Sequence, residues 1–334
     1  MNNTALNKSG FLRYSIETLT KRYAIVMATL FLIVVFSVCS LLLFGEQYFL
    51  TWMNLRNILI QTVPLAIVCC GQALIVFTGE FDLSLGQNVC LTGCIMAWLL
   101  NFGGWNPIAA MAACVLVGTL VGIANGTLIS YMGIPCFIAT LGFQMICKGL
   151  SKIITNASPI SGMPEHVRWL NNTFIGGREN GLPVSVIFMV ILFAIAAFCN
   201  LYTQFGRRLY AIGGSEDAAF FSGIDVKFHR LCVYTIAGAL CGISSIFLVS
   251  RLDSAALTNG NLYEFDSMIA CILGGISLSG GRGRILQALC GVLFLTLFFN
   301  GMTLMNVNPF VQDVLKGIVM VGAVSIDLMR NRRR

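Results

Sequence analysis

From Tyr23 to Phe44 the chain runs the depth of a bilayer core without one charged side chain. Hydrocarbon offers no hydrogen-bond partner, so a segment crossing it pairs its own backbone as a helix or belongs to a closed barrel. Barrel strands alternate their two faces. This run does not alternate, and about 20 apolar residues are what a helix needs to cross. The pattern recurs at 57–78, 84–102, 107–131, 135–155, 183–203, 230–250, 264–280, 285–305 and 309–328. The expected fold is an all-α polytopic integral membrane protein with about ten transmembrane helices. The first run is too long for the apolar core of a cleavable signal, and no small-residue cleavage site follows, so it reads as a retained span.

Charge placement sets the orientation. Only 10% of residues are charged, against about 25% in a soluble domain. The net charge of +7 raises the question of nucleic acid. Its distribution answers against it. Lys8, Arg13, Lys21 and Arg22 precede the first span, Arg207, Arg208, Lys227 and Arg230 flank a central loop, and Arg282 and Arg284 sit in another. Arg330, Arg332, Arg333 and Arg334 close the chain. This is the clustering that the positive-inside bias produces. Both termini and the loop 204–229 are therefore assigned to the cytoplasm, and the loop 156–182 to the outside despite Arg168 and Arg178. The expected organisation is a cytoplasmic segment 1–22, a transmembrane domain 23–328 and a basic tail 329–334.

Several classes of chemistry are missing. There is no Gly-x-x-x-x-Gly-Lys-Ser/Thr phosphate loop, no His-Glu-x-x-His and no Gly-x-Ser-x-Gly. The histidines, His166 and His229, both fall in expected loops. The 13 cysteines are scattered through apolar runs without a Cys-x-x-Cys pair, which suits small buried side chains rather than a metal site. No metal site is expected. An ion-coupled carrier usually places ionisable groups within the membrane. Here Glu80, Asp82, Glu264, Asp266, Asp313 and Asp327 lie near expected span ends. Lys148 and Lys152, one turn apart, are read as snorkelling outward, and Lys316 is placed to pair with Asp313.

Local signals mark packing and helix starts. Asn106-Pro107 and Asn308-Pro309 join a cap residue to a proline at the first helical position, and Pro183 starts another span. Pro64 is expected to bend the second span. Gly118, Gly122 and Gly126 share one helix face, as do Gly238 and Gly242, which permits close helix contact in lipid.

Two blocks carry the chemistry. In Gly79-Glu-Phe-Asp-Leu-Ser-Leu-Gly86, carboxylates end one span and precede a helix starting near Ser84. Capping free backbone donors suits Asp82, and lining an inner gate suits Glu80. The block echoes Gly274-Gly-Ile-Ser-Leu-Ser-Gly-Gly281, weakly enough to leave duplication open. The second block runs from Phe205 to Ile224. Gly213-Gly214 breaks the chain, Ser215 caps, Glu216 and Asp217 favour a helix N-terminus, and Gly223 ends a helix of about seven residues. Its face offers Ala218, Ala219 and Ser222, with Phe220 and Phe221 as anchors. Residues alone leave two uses open: insertion into a partner's groove or lying on the lipid surface.

From about residue 50 to the end, the chain resembles the permease subunits of ribose-type (carbohydrate-uptake-2) bacterial ABC importers. The stretches are 79–86, Ile-Pro-Cys-Phe-Ile-Ala-Thr-Leu-Gly at 134–142, Tyr-Ala-Ile-Gly-Gly-Ser-Glu-Asp-Ala-Ala at 210–219 and Ser-Gly-Ile at 222–224. Tyr-Glu-Phe-Asp at 263–266, Leu-Gly-Gly-Ile-Ser-Leu-Ser-Gly-Gly-Arg-Gly at 273–283 and Asn300-Gly301 follow in the family's order. Where the family usually has Gly-Gly-Ile-Asp, this chain has Gly79-Glu80-Phe81-Asp82, which puts ribose itself in doubt. The resemblance implies an inner-membrane location, import of a monosaccharide or related polyol, a second permease subunit (identical or different), an ABC ATPase carrying ATP and Mg, and an extracytoplasmic sugar-binding protein. No cofactor is expected on this chain. Gly213, Gly214, Ser215, Ala218, Ala219, Phe220 and Gly223 are assigned to ATPase coupling. Glu80, Asp82, Ser84, Asn88, Phe143 and Asp266 are assigned to the translocation path or its gate. An amino-acid or nucleoside permease of the same superfamily, an ion-coupled carrier and a membrane scaffold are the other readings.

Overall fold

A computed structural model describes residues 25–177 and 181–332. The expected segment 1–22, with its basic cluster, and Arg178, Arg333 and Arg334 lie outside the described residues. The helices are α1 (Ile25–Phe44), α2 (Trp52–Phe77), α3 (Leu85–Asn101), α4 (Pro107–Ser130), α5 (Cys136–Thr155), α6 (Glu165–Asn172), α7 (Val184–Tyr202), α8 (Gln204–Gly214), α9 (Glu216–Phe221), α10 (Val226–Leu252), α11 (Tyr263–Gly274), α12 (Ile285–Leu304) and α13 (Pro309–Arg332). Among the described residues, seven helices are long and apolar enough to cross a membrane: α1, α2, α4, α5, α7, α10 and α12. Two antiparallel strand pairs lie outside the helices: β1 (Ile160–Ser161) with β4 (Ser254–Ala255), and β2 (Phe174–Ile175) with β3 (Leu182–Pro183).

The core forms around α2 and α10, the two most enclosed of these helices. Ile67, Ile75 and Phe77 of α2 and Tyr234 of α10 are fully buried. Apolar character cannot drive helices together in lipid, so close packing and hydrogen bonds must. Ser244 Oγ donates to the Pro64 carbonyl at 2.7 Å, tying α10 to α2. α2 runs through Pro64 as one helix. The glycine faces expected to pack do pack, against each other. A Cβ on Gly118 would strike the Gly238 carbonyl, and one on Gly242 would lie 2.6 Å from Val115 Cα. The Asn106 side chain accepts from Ile108 N and that of Asn308 from Phe310 N, both at 2.9 Å, so both asparagine–proline starts are capped.

Three expectations about elements need correction. The span expected at 264–280 is helical only to Gly274. Gly275 takes a left-handed φ of 99°, and the chain continues as a glycine-rich turn. Twelve residues at 1.5 Å each reach about 18 Å, short of a bilayer core. Second, the loop 204–229 holds two helices. α8 buries Leu209 and Ile212 and exposes Arg207 and Arg208, an amphipathic pattern overlooked in the sequence. Third, neither histidine lies in a loop: His166 belongs to α6, and His229 to α10, where Nδ1 lies 2.6 Å from the Asp225 carbonyl. α13 continues to Arg332, so residues 329–332 of the expected tail are helical.

The glycine contact between α4 and α10 gives a stability prediction. A side chain at Gly122 would meet the Tyr234 carbonyl and lie 3.1 Å from Gly238 Cα. Gly142 has nothing within 4 Å of its added Cβ. Gly122→Val is expected to cost about 1–3 kcal/mol through overpacking, whereas Gly142→Val leaves the thermal midpoint in detergent near native. Equal midpoints for the two variants would show that the α4–α10 contact is not tight.

Candidate functional site

The three glycine-rich blocks converge at one end of the bundle. α2 stops at Phe77, and Gly79 turns the chain with a φ of 83°. α11 stops at Gly274, and the turn after it carries Gly280 and Gly281, at φ 81° and 68°. α8 ends at Gly213-Gly214. These ends meet backbone to backbone. Gly281 N donates to the Phe77 carbonyl at 3.0 Å. A Cβ on Gly280 would lie 2.7 Å from Gly79 N and 2.9 Å from Gly213 Cα, and one on Gly213 would strike the Phe77 carbonyl and Gly281 N. The hydroxyl of Tyr210 lies 2.6 Å from Asn200 Oδ1 and 2.8 Å from the Gly283 carbonyl, joining α8 to α7 and to the same turn. A cleft of about 300 Å³ opens beside the junction, lined by Gly213, Gly214, Ser277, Ser279, Gly280, Gly281 and Arg282.

α9 stands on this junction. Ser215 Oγ accepts from Ala218 N at 3.3 Å, Glu216 and Asp217 occupy the first turn, and Gly223 reverses the chain at φ 79°. Ile224 N reaches back to the Ala219 carbonyl at 3.1 Å, closing the C-terminus. Phe221 is 85% exposed and Phe220 66%. Ser215, Ala218 and Gly223 are exposed as well. Ala219 departs from its assigned place on a partner-facing surface. It is buried within this chain, against Ile212, Ile224 and Val226. Its small side chain lets α9 lie against α8 and the start of α10.

The loop 78–84 lies beneath. Asp82 is buried, and its Oδ1 accepts from both Ser84 N and Ser84 Oγ at 2.7 Å. Asn125 Nδ2 donates to Ser84 Oγ at 2.9 Å, and Asn88 Nδ2 to the Gly118 carbonyl at 3.3 Å. Ser84 and Asn88 are thus buried in hydrogen bonds to α4. Tyr234 donates to the Phe81 carbonyl at 3.1 Å. Glu80 Oε1 lies 3.0 Å from Arg230 Nε, and the same guanidinium donates twice to Glu216, at 2.9 and 2.6 Å. One cation thus bridges the loop and α9. Burial pushes the Glu80 carboxyl above its ordinary value, with Arg230 opposing.

The remaining path residues lie apart from this cluster. Phe143 packs in α5 against Leu91, Val121 and Cys147. Asp266, in α11, pairs with Lys316 at 3.2 Å. Lys316 therefore reaches across to another helix rather than to Asp313, and it also sits 4.7 Å from the Phe299 ring. Lys148 and Lys152 are exposed on α5. Among the described residues, no group of three His, Cys, Asp or Glu side chains is placed to hold a metal ion. The cysteines are free, most of them buried.

Residues 54–324 match the family model described as branched-chain amino acid transport system / permease component. The chain belongs to this family. Within it, the chain is 38% identical over 280 residues to the ribose import permease protein of Escherichia coli strain K12, covering 84% of this chain and 87% of the relative. It is 34% identical over 283 residues to the D-allose transport system permease protein of that strain, covering 85% and 86%. The galactose/methyl galactoside import permease protein of the same strain is 32% identical over 347 residues, covering 99% of each. The chain is a multi-pass inner-membrane transport subunit and not an enzyme.

For a permease of this family, sequence reasoning does not reach several side chains of the assembled site, among them Glu216, Arg230, Glu264 and Gln144. By sequence, Glu216 is a helix-start acid and Arg230 part of a topology signal. The structure makes each the other's partner. Glu264 is buried in α11 and accepts from Gln144 Nε2 at 2.9 Å, with Gly86 packed against it. A buried acid two residues before Asp266 was legible as an acid, but its partner on α5 was not.

Asp82 yields a pH prediction. Burial pushes its carboxyl up to about 6, against the opposing hydrogen bonds from Ser84. Its folded value thus exceeds the unfolded one near 4. The stability this proton supplies is complete below the unfolded value and is lost as pH rises through about 6. The wild-type thermal midpoint is expected to fall across that window more steeply than that of Asp82→Asn. Asp82→Ala leaves two donors unpaired and is expected to lose about 1–3 kcal/mol at every pH. Identical pH profiles for wild type and Asp82→Asn would remove Asp82 as the titrating group.

Proposed function

We propose that this chain is the membrane-spanning permease subunit of an ATP-driven ABC importer that carries a monosaccharide or related polyol inward. The observation that carries the reading is the agreement among relatives. Permeases named for ribose, D-allose and galactose align with 84%, 85% and 99% of the chain. Three sugars at comparable identity support the substrate class and leave the individual sugar to experiment.

The working assembly follows from that class. An ABC ATPase subunit binds ATP and Mg, an extracytoplasmic sugar-binding protein delivers substrate, and a second permease subunit, identical or different, completes the path. This chain itself holds no cofactor. Its topology is ten membrane crossings, with α3, α11 plus its following turn, and α13 added to the seven long apolar helices. Both termini and 204–229 face the cytoplasm, and 23–328 form the transmembrane domain between the segment 1–22 and the tail 329–334.

The ATPase docks on α9 and its flanks, through Ser215, Ala218, Phe220 and Gly223 above the Gly213-Gly214 junction. Two exposed phenylalanines on a capped one-turn helix are anchors of the kind a groove closes around. Glu80, Asp82, Ser84 and Asn88 belong to the inner gate, drawn shut by their bonds to α4 and α10. Phe143 and Asp266 belong to the path further from it. Exchange between outward-open and inward-open packings then moves substrate.

Three experiments test the reading. Proteoliposomes holding the permease, its ATPase and binding protein are expected to take up at least one of labelled D-ribose, D-allose and D-galactose when ATP is enclosed. Uptake driven by an ion gradient without ATP would overturn it. Phe221→Arg is expected to weaken ATPase retention by about tenfold or more while the permease inserts normally. Ala219→Arg does not make this distinction, because Ala219 is buried inside the chain. For topology, a cysteine at His166 is expected to react with an impermeant thiol reagent in intact cells, and one at Asp217 to stay unlabelled, native cysteines having been removed. Both positions are exposed, whereas Asn171 is buried and bonded to the Phe247 carbonyl. The opposite labelling would invert the topology.

A further inference from the structure

We propose that Arg230 ties the docking helix to the inner gate, one guanidinium shared between Glu216 and Glu80, and that this tie converts movement of α9 into movement of the loop 78–84. The inference rests on the ABC-importer reading above and names the residues through which the partner's work reaches the path.

The geometry is that of a shared cation. Both terminal nitrogens of Arg230 face Glu216, at 2.9 and 2.6 Å. Its Nε stands 3.0 Å from Glu80 Oε1 without the alignment of a hydrogen bond. The guanidinium stays charged at any pH the protein meets, so two carboxylates compete for one fixed positive charge. They compete from different media. The Glu216 side chain is 54% exposed, while those of Arg230 and Glu80 are 17% and 13% exposed. Water can replace Arg230 around Glu216 at little cost. It cannot do so around Glu80, where losing the partner leaves a buried charge uncompensated. The Glu216 bond is thus the one that opens, and the Glu80 bond is the one that holds.

The two carboxylates belong to different moving parts. Glu216 begins α9, whose exposed aromatic face takes the partner. Glu80 lies two residues before Asp82, which fixes Ser84 at the start of α3. Arg230 itself is in the first turns of α10, one turn before Tyr234, which holds the Phe81 carbonyl. Displacing α9 either draws Arg230 away from the loop or releases its fork to turn fully upon Glu80. In both cases the charge balance at the loop changes when α9 moves. Glu80 is one of two positions, with Phe81, at which this chain departs from the Gly-Gly-Ile-Asp form of the block, so the tie depends on a residue the pattern does not require.

The test measures coupling rather than folding. In the complete proteoliposome complex, ATP hydrolysed per labelled sugar taken up is compared among wild type, Glu216→Gln, Glu80→Gln and the double variant, using whichever of D-ribose, D-allose and D-galactose the wild type carries. Loss of folded complex lowers both rates together and leaves the ratio unmoved. Each single variant is expected to raise the ratio about fivefold or more, with ATPase co-purification near native. The double variant is expected to be no worse than the worse single one, because both act through Arg230. Native ratios in both single variants would overturn the proposal, as would losses that multiply in the double variant. Should Glu80→Gln fail to assemble, a native ratio in Glu216→Gln alone overturns it. Failure of the importer reading looks different: the wild-type complex then takes up none of the three sugars with ATP.

Discussion

Gly213, Gly79, Gly280 and Gly281 bring three separate turns into backbone contact, and the position of every other functional element follows from that contact. Any side chain at Gly213 would displace either the end of α2 or the turn after α11. The bond from Gly281 N to the Phe77 carbonyl satisfies one of the orphan acceptors that end α2. In a low-dielectric surround an unpaired carbonyl is costly, so the turn both caps α2 and seats α8. α8 then fixes where α9 stands. α9 is thus positioned by main-chain geometry rather than by long flexible side chains.

The same principle shapes the middle of the bundle. Glycines on α4 and α10 let the two helices approach until main chain meets main chain, where lipid supplies no hydrophobic drive. Around that rigid pair the polar side chains are spent on specific joints. Ser244 joins α10 to α2, Asn125 and Asn88 join the start of α3 to α4, and Asn171 joins α6 to α10. Charge is placed more sparingly still, in the Arg230 bridge and in the Asp266–Lys316 pair.

How much of this was legible depends on whether a feature is local. Apolar runs, capped starts and the one-turn helix after Ser215 depend on neighbours within a few residues, and nine of the expected spans each fall on a single helix, seven of these long and apolar enough to cross a membrane. The eighth did not, because hydropathy over 264–280 cannot register the left-handed turn that Gly275 imposes. α8 was passed over because two arginines and three glycines made it look like loop, although Phe205, Leu209 and Ile212 sit at helical spacing. Ala219 was assigned outward on size alone; which side of a small helix faces its own chain is decided by α8 and α10, elements the local sequence does not contain. The sequence named the glycine blocks one by one, but their convergence is a property of tertiary packing.

Two kinds of contact therefore meet under α9, and their stiffness differs. The glycine junction is short-range and steep: not even a Cβ would fit at Gly213 against the Phe77 carbonyl and Gly281 N, and contacts of this kind change sharply with distance. The ionic bridge is long-range and soft, because Coulomb attraction falls only inversely with distance and the half-exposed Glu216 carboxylate can be rehydrated. Force applied to α9 consequently passes through two channels. The junction carries α8 and the ends of α2 and α11 as one body, and the bridge lets α9 tilt against α10 before that body moves. In the coupling proposed above, this order holds the gate closed until the partner commits: the soft contact yields first and alters the charge at Glu80, and the steep contact then moves the backbone around it.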